Sequence, residues 1–240
     1  TEIDKCLYPE NYQQPRKTFF ETFEDFLQKH QLSDVRRRDY RVVIRELQRF
    51  EFYTQKHVRG QKNFKLDIDT FTPDTLTAFD DFLYKEHLYY SQYPEIYSEF
   101  PDYRQNIPRG TKTVAVAFSK LRAFFNWCNN NELTENKPFT KYKSPTELYG
   151  TPYYLTIEER NQLYSFDFSD RPALEKQRNI FVFQCLIGCR VGDLYNLKKE
   201  NVINGAIEYV ASKTKDEKPK TIRVPLNTIA AEILVLYSNL

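Results

Sequence analysis

The 240-residue sequence has no methionine, not even at position 1, and only six glycines and three histidines. It also lacks a run of about 18 apolar residues, the apolar core of a signal peptide and a repeat of fixed period. These absences argue against a membrane-spanning helix, a secreted protein and a solenoid, so we expect a cytoplasmic protein. The missing methionine indicates either a fragment or a chain from which modified methionines have been left out.

Cysteine is scarce as well. Cys6, Cys128, Cys185 and Cys189 fit neither a disulfide framework nor the spacing of a zinc site. Cys185 and Cys189 lie four residues apart, and on a helix both are expected to pack as small apolar side chains. We therefore expect no metal site and no cofactor.

Apolar side chains, in contrast, are plentiful enough for a sizeable core, since 40% of the residues are apolar and 16% are aromatic. The formal net charge of +2 is too small to indicate a nucleic-acid partner. Because the charges are unevenly distributed, local patches carry more information than their sum.

The first half of the chain has the periodicity of helices. Apolar residues recur at a period near 3.6 around 19–27, 35–52 and 111–128. Ser33 precedes the second of these helices, and Thr72 is a candidate N-cap for another helix over 73–84. The segment 89–110, which holds several tyrosines and three prolines, predicts an irregular connection or insertion.

Residues 136–152 are rich in proline and lysine, which predicts a linker and a domain boundary. Beyond it, Thr156 begins a capping-box pattern, and 177–187 predicts a buried apolar helix. Strands are predicted over 202–203, 206–210 and 220–226, with Asn204-Gly205 as a tight turn, followed by a helix from residue 227. The expected fold class is thus mainly α with a small antiparallel β-sheet.

Positive charge is concentrated on the second and fourth predicted helices. A row of like charges repels itself by roughly a few tenths of a kcal/mol per pair unless a polyanion lies opposite. A solvated helix face explains either group alone, but two such helices in one small domain favour DNA binding. The second helix carries Arg36, Arg37, Arg38, Arg41, Arg45 and Arg49, and the fourth carries Arg109, Lys112, Lys120 and Arg122.

A further candidate site combines Arg190 with a lysine-rich loop over 213–220. An arginine offers a rigid fork of donors that matches phosphate oxygens, and a lysine can protonate a leaving oxygen. Together they suit phosphoryl transfer without a metal. Taken singly, Arg190 is better explained by an ion pair with Asp193 or with a neighbouring helix, and the lysines by a soluble hairpin turn.

The stretch Ile187–Lys198 resembles the first catalytic motif of the tyrosine recombinases, also called phage integrases. The hairpin residues 211–215 and 222–226 are similar to the pattern that follows that motif, and 126–128 with 136–139 resemble the end of the core-binding domain. The resemblance implies a helical, SAM-like core-binding domain over 16–140, a linker over 141–152 and the N-terminal part of an α+β catalytic domain over 153–240. Residues 1–15 would be the remnant of a preceding linker.

The resemblance also implies roles for particular residues. Arg190 would bind the scissile phosphate, and Lys213 would be the general acid for the leaving 5′ oxygen, with Lys215 as the alternative. Asp193 would order the site, and the small Gly188 would allow close backbone approach. The implied partner is double-stranded DNA, bound by a homo-oligomer of two to four subunits. From their positive charge, the DNA contacts are expected to come from Arg36, Arg37, Arg41, Arg45, Arg109, Lys112 and Lys120.

Later elements of the family pattern are missing from the sequence, namely the His-x-x-Arg motif and the tyrosine nucleophile. All three histidines precede residue 88. Tyr237 follows Arg190 too closely to be the nucleophile, so we expect it to be a structural helix residue. The implied function is site-specific DNA recombination by the intact protein through a 3′-phosphotyrosyl link, with these residues inactive alone. The alternatives are a non-catalytic DNA-binding protein and a helical protein-interaction module.

Overall fold

The computed structural model describes residues 16–101, 107–146, 150–214 and 219–237. Cys6, the expected linker remnant 1–15 and Lys215 lie outside these ranges. The chain divides into two compact units, Thr1–Gly150 and Thr151–Leu240. This division falls within the segment 141–152, while the assignment of the units to a core-binding and a catalytic domain stays a prediction.

The described part of the first unit is helical. Its elements are α1 (Phe19–Lys29), α2 (Asp34–His57), α3 (Pro73–Gln92), α4 (Pro94–Glu99) and α5 (Thr111–Asn130). Side-chain caps fix three of the starts, because the hydroxyls of Thr18, Ser33 and Thr72 each accept a hydrogen bond from the backbone N–H three residues later. Of these caps, the one at Thr72 confirms a prediction made from the sequence.

The prediction of an irregular segment over 89–110 is partly wrong, because α3 continues to Gln92 and α4 follows at once. Pro94 explains the break, since proline disfavours helix in the residue before it and suits the first position of a new helix. Tyr89 and Tyr90 of this segment pack on other aromatic rings instead of forming a loop. Tyr89 stacks on Tyr53 with 4.6 Å between ring centroids, and Tyr90 on Tyr97 with 3.9 Å.

An aromatic core holds the first unit together. Phe23 of α1 stacks on Phe124 of α5 with ring centroids 4.0 Å apart, and both side chains are fully buried. Fully burying such a ring contributes about 1.5–3 kcal/mol. The predicted inward faces of α2 and α5 are confirmed by the burial of Tyr40, Val43, Ile44, Leu47, Phe50, Val114, Ala117, Phe118, Leu121, Phe124 and Phe125.

The segment predicted as a linker from residue 136 packs on the first unit as far as residue 144. Asn136 donates hydrogen bonds to the carbonyl oxygens of Ile68 and Phe71, at 2.9 and 2.8 Å. Phe139 is buried, and Tyr142 stacks on Phe118. Its proline content therefore reflects a non-helical segment that is held by side chains rather than an independent spacer.

The described part of the second unit combines helices with a small sheet. Its elements are α6 (Ile157–Ser165), α7 (Pro172–Ile187), α8 (Val191–Asn196), a 3-10 turn (Lys199–Asn201), β1 (Val202–Ile203), β2 (Ala206–Val210), β3 (Thr221–Pro225) and α9 (Thr228–Tyr237). The sheet is antiparallel in the order β1-β2-β3. This confirms the predicted fold class.

The turn between β1 and β2 forms as predicted, because Asn204 and Gly205 both have positive φ, at 48° and 70°. The cap at Thr156 is also confirmed. The expectation of a fully buried α7 is wrong, since Phe181 and Cys185 lie on an exposed side of that helix. Cys189, beyond the end of the helix, is buried as expected. No described helix has the length and apolarity needed to cross a membrane.

Candidate functional site

Arg190 stands where α7 ends and α8 begins. Gly188 closes α7 in the left-handed conformation, at φ +63°, and its N–H bonds to the carbonyl oxygen of Gln184. A Cβ at Gly188 would meet no atom within 4 Å, so the predicted close approach of the backbone to its neighbours is wrong. The positive φ explains the glycine instead, because side chains other than hydrogen rarely adopt this conformation. The chain then turns so that Arg190 caps α8, with 61% of its side chain exposed.

Asp193 joins Arg190 to the loop that follows β2. Its side chain is 4% exposed, and its Oδ1 atom accepts a hydrogen bond from the backbone N–H of Ser212 at 2.8 Å. Its Oδ2 atom lies 3.9 Å from Nη1 of Arg190. The Ser212 N–H, with a smaller contribution from Arg190, holds the pKa of Asp193 below its ordinary value.

Lys213 follows Ser212 directly, and its side chain is exposed. The loop is fixed by the burial of Ala211 and by a hydrogen bond from the N–H of Thr214 to the carbonyl oxygen of Ala211 at 3.1 Å. The carboxylate of Asp193 therefore contacts both Arg190 and the residue next to Lys213. One buried acid thus links an arginine and a lysine-bearing loop that are far apart in sequence.

Tyr237 has a structural contact of its own. Its hydroxyl accepts a hydrogen bond from Nδ2 of Asn179, a residue of α7 that is only 3% exposed. Tyr237 also packs with the small core of the second unit, near Val182 and Ile233. Both contacts agree with a structural tyrosine on α9.

The basic face of α2 is real over its first three turns. Arg36, Arg38 and Arg41 are exposed, whereas Arg37 and Arg45 are half-buried. Arg37 lies 3.5 Å from the carboxylate of Asp34, so this acid partly offsets the charge. The positive end of the helix dipole also lies here, which makes a cluster of arginines at this end unfavourable in the absence of an anion.

Lys120 connects α5 with the start of α2. Its ammonium donates to the carbonyl oxygen of Asp39 at 3.2 Å and lies 6.0 Å from the ring centroid of Tyr40. This gives Lys120 a role in helix packing, and its contact with DNA stays a prediction. Lys112 is exposed on the first turn of α5.

Arg109 and Arg49 are not on the surface, which corrects their placement on the basic faces. Arg109 is 5% exposed and donates to Glu46 at 2.8 Å and to Glu86. Arg49 is 1% exposed and pairs with Glu86 at 2.5 Å. The physical reason is that two buried glutamates from α2 and α3 require cationic partners.

The charged groups of this buried network shift one another's pKa values. Burial raises the pKa of Glu46, although Arg109 opposes the shift. Burial alone lowers the pKa of Arg109, but Glu46 and Glu86 together raise it above its ordinary value. The network joins α2 and α3 to Arg109, two residues before α5, and so it sets the spacing of the two helices that carry the exposed cations.

Known proteins with similar sequences are tyrosine recombinases. No family model matches the sequence. Tyrosine recombinase XerC of Bacillus pumilus is 25% identical over 126 residues, which are 52% of this chain and 40% of that relative. The chain is therefore similar to tyrosine recombinases over about half of its length. A second relative, from Caldanaerobacter subterraneus, is 25% identical over 125 residues. The chain thus matches less than half the length of these tyrosine recombinase relatives.

Solved structures of a phage integrase share the fold. The lambda integrase tetramer bound to a Holliday junction matches 97% of this chain and 58% of its own, with a TM-score of 0.61 and 14% identity. A lambda integrase dimer bound to a COC' core site matches 100% of this chain and 62% of its own, with a TM-score of 0.62 and 12% identity. At this identity the likeness concerns the fold, and it confirms the helical architecture with a small sheet.

Proposed function

We propose that this chain binds duplex DNA and forms part of a tyrosine recombinase that cleaves and rejoins strands at specific sites. The observation that carries the proposal is the Asp193 carboxylate, which contacts Arg190 and the residue before Lys213. An exposed arginine and an exposed lysine held by one buried acid suit a phosphodiester. The relatives named above are recombinases and integrases, which supports the same conclusion.

In this proposal Arg190 stabilises the charge that grows on the phosphate oxygens in the transition state. Lys213 donates a proton to the leaving 5′ oxygen. Asp193 takes no part in bond breaking and instead fixes the positions of the other two. In the intact recombinase a tyrosine attacks the phosphate to form a 3′-phosphotyrosyl link, with no metal or other cofactor.

The first unit supplies affinity for DNA. Arg36, Arg38 and Arg41 are exposed at the positive end of the α2 dipole, where a phosphate backbone would relieve their repulsion. Phosphate contacts of this kind position a protein on the duplex, and base edges are then read in the major groove by α2 and α5. By analogy with the dimer and tetramer of lambda integrase, we propose two to four copies on DNA.

A non-catalytic DNA-binding protein is the second candidate, and two observations favour it for these 240 residues by themselves. The sequence has no histidine after His87, so no His-x-x-Arg motif follows Arg190. The hydroxyl of Tyr237 accepts a hydrogen bond from the buried Asn179, and its half-buried side chain packs against the core of the second unit. Both candidates keep the DNA-binding surface, and they differ in whether a strand is cut.

Duplex binding by the full chain tests what the two candidates share. We expect the affinity for a labelled duplex, measured by fluorescence anisotropy, to fall linearly with salt between about 50 and about 200 mM on logarithmic axes. Negligible affinity, or affinity that is independent of salt, contradicts the proposal. A duplex with a nick that traps covalent intermediates separates the candidates, since only a complete recombinase forms a protein-DNA adduct.

A further inference from the structure

A polar pocket of about 460 Å³ lies at the end of α5, against the segment 137–140 that follows it. None of the residues that line it is acidic. Its walls include two cations and three asparagine amides, from Arg122, Lys137, Asn126, Asn129 and Asn130. Such a wall composition selects an anion that accepts several hydrogen bonds.

The wall that carries Lys137 is held in place by backbone and amide hydrogen bonds. Asn129 donates through Nδ2 to the carbonyl oxygens of Thr134 and Asn136, at 2.9 and 3.0 Å. The carbonyl oxygen of Lys137 accepts from the N–H of Thr140 at 3.0 Å, which closes a turn around the pocket. The backbone of the pocket is therefore formed before a ligand arrives.

Arg122 is fixed on the opposite wall. Its Nη2 atom donates to the hydroxyl of Ser144 at 2.6 Å, and its Cζ atom lies 4.8 Å from the ring centroid of Phe139. The bond to Ser144 uses one of the five N–H donors of the guanidinium. Stacking and one hydrogen bond thus orient the planar fork without using all of its donors.

The charge balance decides which kind of ligand fits. The C-terminal end of α5 contributes about half a negative charge near the pocket, which is smaller than the two positive charges of Arg122 and Lys137. Asn126 and Asn130 are exposed and four residues apart, so their amides share one face of α5. Two cations with neutral amide donors match the size and hydrogen-bonding capacity of one phosphate group.

We propose that this pocket binds one phosphate of a DNA backbone, an inference that rests on the proposed function. Arg122 lies two residues after Lys120, and this step turns about 200° around a helix, so the pocket opens on a different side of α5 from α2. The phosphate contact is therefore separate from the arginines of α2. It extends the DNA contact from the helices to the chain that leads out of the first unit.

The salt dependence of duplex binding tests the pocket. Lys137→Gln removes a cation whose side chain is exposed, and Lys62→Gln, on an exposed loop after α2, is the matched control. We expect Lys137→Gln to lower the slope of log affinity against log salt by about 0.9, the value for one phosphate. If both proteins bind equally at about 1 M salt, Lys137→Gln therefore binds about eightfold more weakly than the unaltered chain at about 0.1 M. Equal slopes for Lys137→Gln and Lys62→Gln overturn the proposed contact.

A titration with inorganic phosphate identifies the source of the phosphate group. We expect the side-chain amide signals of Asn126 and Asn130 to shift in NMR spectra of the full chain, and to shift much less in Lys137→Gln. If the unaltered chain fails to bind duplex DNA, the proposed function and the DNA contact both fail. Amide shifts with inorganic phosphate would then assign the pocket to a free phosphate compound, and their absence would overturn the pocket as a phosphate site altogether.

Discussion

Oδ1 of Asp193 accepts a hydrogen bond from the backbone N–H of Ser212 at 2.8 Å, which fastens the β2–β3 hairpin to α8. We expect Asp193→Ala to speed hydrogen exchange at the Ser212 amide by about tenfold or more, because this amide loses its hydrogen bond to a charged acceptor. The control is Asp167→Ala, which removes a carboxylate whose bond to the N–H of Ser169 is local and exposed. Unchanged exchange at Ser212 in Asp193→Ala contradicts this assignment.

The same carboxylate predicts how the hairpin responds to acid. The pKa of Asp193 is lowered in the folded chain, chiefly by the Ser212 N–H. The stabilisation is therefore complete above the ordinary carboxyl range and is lost as pH falls through the lowered pKa. We expect the Ser212 amide signal in NMR spectra to titrate with a midpoint below 3.8, the ordinary value of an aspartate. A midpoint above that value reverses the sign and contradicts the account.

The buried pair of Arg109 and Glu46 predicts a stability effect rather than a binding effect. Arg109→Ala leaves Glu46 and Glu86 buried without this cation, so we expect the free energy of unfolding in urea to fall by about 3–5 kcal/mol. Arg38→Ala, on the exposed face of α2, is expected to change it by less than about 0.5 kcal/mol. Similar losses in the two variants would place Arg109 on the surface after all.

The described cysteines differ in reactivity because of their surroundings. Cys185 is exposed, whereas burial raises the pKa of Cys128 to about 12 and also raises the pKa of Cys189. Since the thiolate is the reactive form, we expect a maleimide at neutral pH to modify Cys185 before either of the other two. Peptide mapping by mass spectrometry measures the order. Earlier modification of Cys128 would show that the core of the first unit opens readily.

Much of the fold follows from local sequence patterns. The apolar faces of α2 and α5, the caps at Thr72 and Thr156 and the Asn204-Gly205 turn depend on residues that are close in sequence, so they were predictable. The extension of α3 to Gln92 was missed because its tyrosines are stabilised by stacking on α2 and α4. Such long-range packing has no local signal.

The candidate site was predictable where its residues are neighbours in sequence, and not where they meet only in the fold. Arg190 and Asp193 lie one helical turn apart, so an ion pair between them was among the alternatives that the sequence indicated. The burial of Arg109 was not, because its partners Glu46 and Glu86 lie 63 and 23 residues away. A helical projection likewise placed Arg49 with the exposed arginines, although its partner on α3 draws it into the core.

The salt dependence of duplex binding by a variant of α2 tests the central claim most directly. The triple variant of Arg36→Gln, Arg38→Gln and Arg41→Gln removes the three exposed arginines of the helix. If each contacts one phosphate, the slope of log affinity against log salt falls by about 0.9 per arginine, or about 2.7 in all. If the triple variant folds, binds duplex DNA as tightly as the unaltered chain and keeps the same slope, α2 does not bind DNA. That result would contradict the proposal.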